Sequence, residues 1–272
     1  EFRATGRLMA PLFGALLLLA LVVRASDLVF QHVESHSAFL NSLNTLLIIA
    51  YVLALIGVMV FSTVLMIKRF HQNFLTDEGY LMFTLPAGVH SLLWSKLITA
   101  ALFFIFTFLA EALSVAIVVW QGGLAREMFT GIADLFRRLD SYYMANGLAF
   151  ALEMLALLFV SLLVTCLLFY APMSIGYSFA NHKGLLSVVF YFVIQAILQI
   201  FGVAVLSGVV SDTAFHRLLT DAMDNLGRID TPATAMQAAH GTMLLALCTE
   251  LFLGAILYFL TYFMLRRHRN LQ

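Results

Sequence analysis

Six long apolar stretches limit what this chain can fold into. Each holds about twenty or more residues, which as an α-helix is enough to cross roughly 30 Å of hydrocarbon. None alternates polar and apolar residues with the period of two that a membrane β-barrel needs. Helices satisfy their own backbone hydrogen bonds in lipid, so the pattern predicts an all-α membrane protein with six transmembrane helices. The stretches cover about residues 8–30, 43–67, 96–120, 146–170, 186–210 and 241–265.

Composition agrees with this class. Hydrophobic residues make up 62% of the chain and charged residues only 11%, whereas a soluble domain has about 25% charged residues. So few charges cannot cover a water-facing surface, and a net charge of zero gives no reason to expect nucleic-acid binding. With no internal repeat or low-complexity linker, residues 1–272 are expected to form a single transmembrane domain. Cys166 and Cys248 lie apart in apolar stretches, which favours packing roles over a disulfide or metal site.

The positions of lysine and arginine predict the orientation. An inside N-terminus places most of them in the cytoplasm, including Arg266 and Arg267 near the C-terminus, while most acidic residues fall outside. The first apolar stretch is expected to be a retained span, because no signal-peptide cleavage site follows it. The prediction is therefore N-in and C-in.

Two outer loops carry apolar residues at helical spacing, from Met128 to Leu139 and from Phe215 to Leu226. We expect an amphipathic helix in each. Such helices either lie on the lipid headgroups or cap a cavity between the spans, and the sequence favours neither.

The segment from Thr76 to Pro86, between the second and third spans, is too short to cross a membrane and too apolar to lie bare in water. Thr76, Asp77 and Glu78 suit the first turn of a short helix, and Pro86 ends it. A lipid surface and a groove on a partner protein fit this pattern equally well. Its apolar side chains are Tyr80, Leu81, Met82, Phe83 and Leu85.

The run RFHQNFLTDEGYLMFTLP, followed by HSLLWSKLITA, resembles the first cytoplasmic loop of bacterial ABC exporter permeases of the type-2 class, which exports drugs and antimicrobial peptides. EFRATGRLMAPLFGALLLL at the start and GYSFANHKGLL in the second inner loop extend the resemblance along the chain. That family normally has a longer amphipathic helix before the first span, of which only the last part, up to about Arg7, is visible here.

The resemblance implies a permease subunit in the bacterial cytoplasmic membrane that pairs with a second permease, identical or not, and with ABC ATPase subunits. It implies that the first loop is a coupling helix docked on the ATPase, and that the loop from Tyr177 to Lys183 is a lesser contact. ATP and Mg would then bind to the partner subunit, and amphipathic substrates such as antimicrobial or toxin-like peptides would leave the cell by alternating access. The ATPase-coupling residues, carried over by position, are Asp77, Glu78, Gly79, Tyr80, Phe83 and Pro86.

The chain has no GxxxxGK[ST] phosphate loop, so it cannot cradle a nucleotide triphosphate in that way. Its Ser, His, Asp and Cys residues are scattered over spans and loops and suggest no nucleophilic site. We therefore expect no catalytic residues, no metal and no cofactor on this chain.

Three glutamates and one arginine fall inside predicted spans, where an ionised side chain costs about 2.5–3.5 kcal/mol on insertion scales. Each glutamate lies roughly 10–14 Å from the outer end of its span, and the arginine at a similar depth, so we expect a single polar layer. In one interpretation these residues line a substrate pathway. In the other the arginine pairs with one glutamate while the rest are protonated and hydrogen-bonded. They are Glu111, Glu153, Glu250 and Arg24.

Two other classes of function remain open from the sequence. A proton-coupled secondary transporter would use the intramembrane carboxylates directly and would need no ATPase. A membrane sensor or assembly factor would transport nothing. The secondary transporter gives no reason for the Thr76–Pro86 segment.

Overall fold

The computed structural model describes residues 2–32, 38–76, 88–119, 147–179, 181–206 and 232–269. It also describes the single positions 127, 130, 131, 133, 134, 137, 217 and 220. Over these residues the chain forms helices joined by turns, and no strand occurs among them. The predicted all-α class is confirmed.

Among the described residues, six helices each contain a stretch long and apolar enough to cross a membrane. The six predicted apolar stretches are confirmed as helices of spanning length, which indicates a multi-pass membrane protein. Several helices are longer than their apolar stretches, because polar residues at the end of a span do not interrupt the backbone hydrogen bonds of a helix. The helices are α1 (Phe2–His32), α2 (Ala38–Leu75), α3 (Val89–Val119), α4 (Gly147–Gly176), α5 (Lys183–Leu206) and α6 (Pro232–Arg269).

The two expected outer-loop helices, at 128–139 and 215–226, lie largely outside the described residues. The few described positions there are helical, and Arg137 lies 3.7 Å from the carboxylate of Asp134 one turn away. Both helices, like the orientation, stay predictions.

The chain divides into two compact units. The first comprises Glu1–Arg69 and Ile98–Phe129, and the second Phe70–Leu97 and Thr130–Gln272. Since α2 and α3 each contribute residues to both, the division does not test the expectation of a single transmembrane domain.

In the first unit α1, α2 and α3 pack through apolar side chains and buried hydroxyls. Leu16, Ala20 and Val23 of α1 form a buried cluster with Tyr51 and Val58 of α2. Two hydroxyl pairs then join α2 to α3, at 2.9 Å between Tyr51 and Ser114 and at 2.7 Å between Ser62 and Thr107. In a membrane, where lipid tails are as apolar as the helix faces, such packing and hydrogen bonds hold helices together.

In the second unit α4 and α5 form a tight helical hairpin. His182, just before α5, adopts a left-handed backbone with φ of 54°, a conformation that histidine tolerates better than most residues. Gly176, the last residue of α4, packs directly on α5: a Cβ there would lie 2.7 Å from the Cα of Ser187. Only glycine permits this approach, so Gly176 fixes how closely the hairpin closes.

Helices α4 and α6 run side by side with a constant register. Glu153 contacts His240, Ser161 contacts Glu250, and Ser178 contacts Met264. Between them Gly254 faces Val164, where an added Cβ would come within 3.0 Å of the valine side chain. A small residue at this position allows the close packing typical of membrane helices.

Large apolar side chains cover the outer faces of both units. Leu53, Ile200 and Phe252 are 62%, 68% and 66% exposed. Exposed apolar patches of this extent mark contact with a partner or with lipid, and here they lie on helices of spanning length.

Candidate functional site

The expected ATPase-coupling residues fall in the α2–α3 connection, defined here as residues 76–88. Residues 77–87 lie outside those that the structure describes, and the coupling role stays a prediction. The two ends of the connection are described, and they show how it is attached. The coupling residues that fall outside are Asp77, Glu78, Gly79, Tyr80, Phe83 and Pro86.

The entry end of the connection, the last turns of α2, is held by α4. Phe70 is 1% exposed and stacks on Tyr170, with ring centroids 3.9 Å apart. One residue on, Nε2 of His71 hydrogen-bonds the hydroxyl of Tyr177, just beyond the end of α4, and the two rings meet edge to face. Packing and a polar contact together fix the position of this end.

The exit end, the first turns of α3, is held by α6. Nδ1 of His90 lies 2.8 Å from the hydroxyl of Tyr258, and its ring stacks on Tyr262 at a centroid distance of 3.8 Å. Trp94, one turn further along α3, packs against Tyr258 at 5.7 Å. At both ends a histidine therefore bonds a tyrosine from another part of the chain, and an aromatic pair packs beside it.

A buried lysine links the two ends to each other. The ammonium of Lys96 in α3 lies 5.9 Å from the ring centre of Phe74 in α2, within the range of a cation–π contact. Lys96 is only 4% exposed. The ends of the connection therefore share one packed surface.

These contacts bear directly on what the connection can do. Its entry is fixed to α4 and its exit to α6, so a force applied between the ends reaches both helices through short, stiff contacts. Packed side chains and hydrogen bonds of this kind are the physical carriers of coupling between sites.

The second unit also holds two of the intramembrane glutamates, on the α4–α6 pair. Oε2 of Glu153 lies 2.6 Å from Nδ1 of His240, and Phe150 meets the same imidazole edge to face. Glu250 accepts a hydrogen bond of 3.2 Å from the hydroxyl of Ser161. Both carboxylates therefore have polar partners across the helix pair, as lipid-embedded acids require.

The expectation of one polar layer is wrong for these two residues. Their partners His240 and Glu250 are ten residues apart on α6, or about 15 Å at 1.5 Å per residue. The prediction measured the depth of each glutamate from the outer end of its own apolar stretch, as if all the stretches began at the same level. Helix α6 begins earlier, at Pro232, so its apolar stretch does not start level with that of α4.

Glu111 and Arg24 belong to the first unit. Glu111 faces a groove between α2 and α3, lined by Leu55 and Met59, and its buried Oε1 has no hydrogen-bond partner among the described residues. Arg24 forms an ion pair with Asp27, one turn along α1, at 3.2 Å. The expected pairing of Arg24 with a glutamate is therefore not what the structure shows.

Sequence reasoning singled out none of the histidines now seen at these contacts. His71, His90 and His240 each bond a tyrosine or a glutamate on another helix or just beyond its end. A signal was available, since a histidine at or inside a transmembrane span is uncommon and usually has a partner. The partners lie 87 to 168 residues away in the chain, and spacing alone does not reveal them.

Metal chemistry finds no support in the part of the chain that the structure covers, where no three His, Cys, Asp or Glu residues come together. Cys166 is buried, Cys248 is exposed, and both are free thiols.

A scan against protein-family models, a search of curated proteins and a search of solved structures each found no match to this chain.

Proposed function

We propose that the chain is the permease subunit of an ATP-driven ABC exporter in the bacterial cytoplasmic membrane. It works N-in and C-in as a homo- or heterodimer, with ABC ATPase subunits that bind ATP and Mg. The chain itself catalyses no reaction. Its substrates are amphipathic, with antimicrobial or toxin-like peptides first among them, and they cross by alternating access.

The observation that carries this proposal is the attachment of the α2–α3 connection. His71 and His90 tie its two ends to Tyr177 and Tyr258, and between these ends lies the sequence that resembles a coupling helix. A loop that only joined two spans would need no such fixation, because loops normally tolerate movement. A loop that transmits force needs it at both ends.

The contacts at both ends of the connection support a mechanism for this coupling. Tyr80 and Phe83 dock in a groove of the ATPase, and closure of the ATPases on ATP moves the connection as a unit. Because its entry contacts α4 and its exit contacts α6, the displacement shifts both helices and opens the substrate route to the other side. Rigid-body movement of packed helices of this kind is a common form of switching.

Co-purification tests the proposal. The chain, purified from its native host, is expected to retain a separate ATPase subunit, identified by mass spectrometry and by ATP hydrolysis. Replacing Tyr80 or Phe83 with Asp is expected to weaken the complex by about 2 kcal/mol or more, since aromatic anchors dominate such interfaces. Tyr80→Phe and Phe83→Leu keep the apolar contact and serve as matched controls. If both Asp variants retained an intact and coupled complex, the 76–88 connection would not be the coupling element.

A second candidate, a proton-coupled secondary transporter, is favoured by one observation. Glu153 and His240 are both ionisable, touch at 2.6 Å and are each less than one-third exposed, which suits a proton-relay pair in a membrane. Transport by the purified chain in liposomes, driven by a pH gradient and without any ATPase, would establish this function in place of the first.

A further inference from the structure

The second unit contains an apolar groove with a carboxylate at one end. The groove lies between α5 and α6 and has a volume of about 560 Å³, within the roughly 300–1,000 Å³ typical of small-molecule sites. Ile197 and Phe201 line it from α5, and Phe252, Ile256 and Leu260 line it from α6. Its polar wall consists of Thr249 and Glu250.

The polar wall offers hydrogen-bond acceptors. Thr249 donates its hydroxyl proton to the backbone carbonyls of Leu245 and Ala246, at 2.6 and 3.0 Å. The hydroxyl oxygen of Thr249 can therefore only accept a hydrogen bond from a ligand. Glu250 accepts one hydrogen bond, from Ser161 on α4 at 3.2 Å, and an ionised carboxylate has room for several more. A ligand head at this end must therefore donate hydrogen bonds, and a positive charge suits it best.

The dimensions define the rest of the ligand. From Glu250 to Leu260 the groove follows ten residues of α6, about 15 Å at 1.5 Å per residue. Beyond the carboxylate this length is apolar, so it accepts an unbranched hydrocarbon chain. A second cavity reaches Glu250 from the α4 side, but its volume of about 280 Å³ is below the usual range for such ligands.

We propose that this groove binds a single-chain cationic amphiphile: a protonated alkylamine with its ammonium on Glu250 and Thr249 and its chain along α5 and α6. An aliphatic amine is protonated at neutral pH, as lysine is. Its charge compensates a carboxylate that is otherwise costly in a membrane. A phospholipid brings a phosphate toward the same carboxylate and is disfavoured by repulsion.

Binding stands on this geometry alone, whereas the role of the bound amphiphile as an exported substrate rests on the proposed function. The groove would then give the substrate class a chemical definition: one positive charge at the end of one apolar chain.

Photo-crosslinking in lipid nanodiscs, with the full-length chain and no ATPase, tests the binding. The probe is a primary alkylamine that carries a diazirine in its chain, and the reference is the alkyl sulfate with the same chain and diazirine. We expect the amine to label peptides within 194–201 and 246–260 and the sulfate to label them about tenfold less, as the loss of a charge-assisted contact implies. Excess unlabelled alkylamine should compete.

Two pairs of variants make the test specific. Glu250→Gln keeps the acceptor for Ser161 and is expected to reduce amine labelling about tenfold, whereas Glu250→Asp, which keeps the carboxylate, should retain most of the labelling. Ile197→Trp fills the groove and should reduce labelling, whereas Ile200→Trp, at a position that does not line the groove and is 68% exposed, should not.

Equal labelling by amine and sulfate would make the groove a site for lipid chains in general and overturn the proposal. Labelling outside these peptides, or unchanged labelling in Glu250→Gln, would also overturn it. None of these outcomes depends on an ATPase partner, so failure here is distinct from failure of the proposed function.

Discussion

The two compact units use different chemistry to hold their helices together. In the first, the described hydrogen bonds between α2 and α3 join neutral hydroxyls. In the second, we compare the described hydrogen bonds that join α4, the turn after it, or α6 to another helix, leaving out those to sulfur. Each of them includes a histidine or a glutamate. The first set is Tyr51–Ser114 and Ser62–Thr107; the second is His71–Tyr177, His90–Tyr258, His240–Glu153 and Ser161–Glu250.

The two kinds of contact differ in what they cost inside a membrane. A hydroxyl pair joins membrane helices at low cost, since neither partner carries a charge to desolvate. Histidine and glutamate are expensive in a membrane and are retained where they do something that a hydroxyl cannot. The first unit is thus held by packing and neutral hydroxyls, whereas the ionisable contacts of the second unit suit the role in transport that we propose for it.

The largest effect is expected when tyrosines of the second unit are changed to phenylalanine, and the same change in the first unit serves as the control. Tyr177→Phe combined with Tyr258→Phe removes the hydroxyls that bond His71 and His90 but keeps the rings. Permease-dependent ATP hydrolysis by the co-purified complex should fall by about 5–150-fold, the usual range of a coupling free energy. Tyr51→Phe, which removes the hydroxyl bonded to Ser114, should leave coupling unchanged. If Tyr51→Phe lowered ATP hydrolysis as much as the double variant does, the two units would not differ in their role in coupling.

A smaller effect is expected at the glutamates of the second unit. Glu153→Gln removes the charge that faces His240 at 2.6 Å, and the amount of folded protein in the membrane should fall, as for a lost buried contact of about 1–3 kcal/mol. Glu250→Gln keeps its hydrogen bond to Ser161, so folding should persist while stimulation of the ATPase by a cationic amphiphile falls. Expression level and stimulated hydrolysis, measured for both variants, distinguish the two roles. Normal values in both would exclude these carboxylates from export.

The smallest effect is expected from the hydroxyl pair of the first unit. Ser62→Ala with Thr107→Val replaces a 2.7 Å hydrogen bond by apolar contact. The free energy of unfolding should drop by about 0.6 kcal/mol and at most about 1.7 kcal/mol, as measured for such bonds in membranes. Thermal unfolding in detergent measures it, with transport as the control. A loss of transport at normal stability would assign a functional role to the first unit as well.

The sequence predicted the spans well and the side-chain contacts poorly. A spanning helix is predicted from the length of its apolar stretch, which is a local property of the sequence. Helices α3 and α4 therefore lie close to the stretches that predicted them. The depth of Glu250 depends on where α6 begins and on its register against α4. That register is set by contacts such as Gly254 with Val164, which are far apart in the chain.

The attachment of the α2–α3 connection was equally invisible. The resemblance pointed to Tyr80 and Phe83, which are exposed to a partner in that reading, but not to the residues that hold the segment. His90 reaches Tyr258 across 168 positions, and only the packing of α3 against α6 brings them together. Motifs indicate what a segment contacts, whereas its mechanical connections come from tertiary structure.

The central claim is that the α2–α3 connection faces the cytoplasm, where an ATPase can reach it. Cysteine labelling tests this in a background with Cys166 and Cys248 replaced by alanine. Thr76→Cys lies at the exposed entry of the connection, and Asp224→Cys lies in the second of the two loops that the charge pattern predicts to be outside. In intact cells a membrane-impermeant maleimide should label Asp224→Cys and leave Thr76→Cys unlabelled until the membrane is permeabilised. Labelling of Thr76→Cys in intact cells, with Asp224→Cys protected, would place the connection outside the cell and contradict the account.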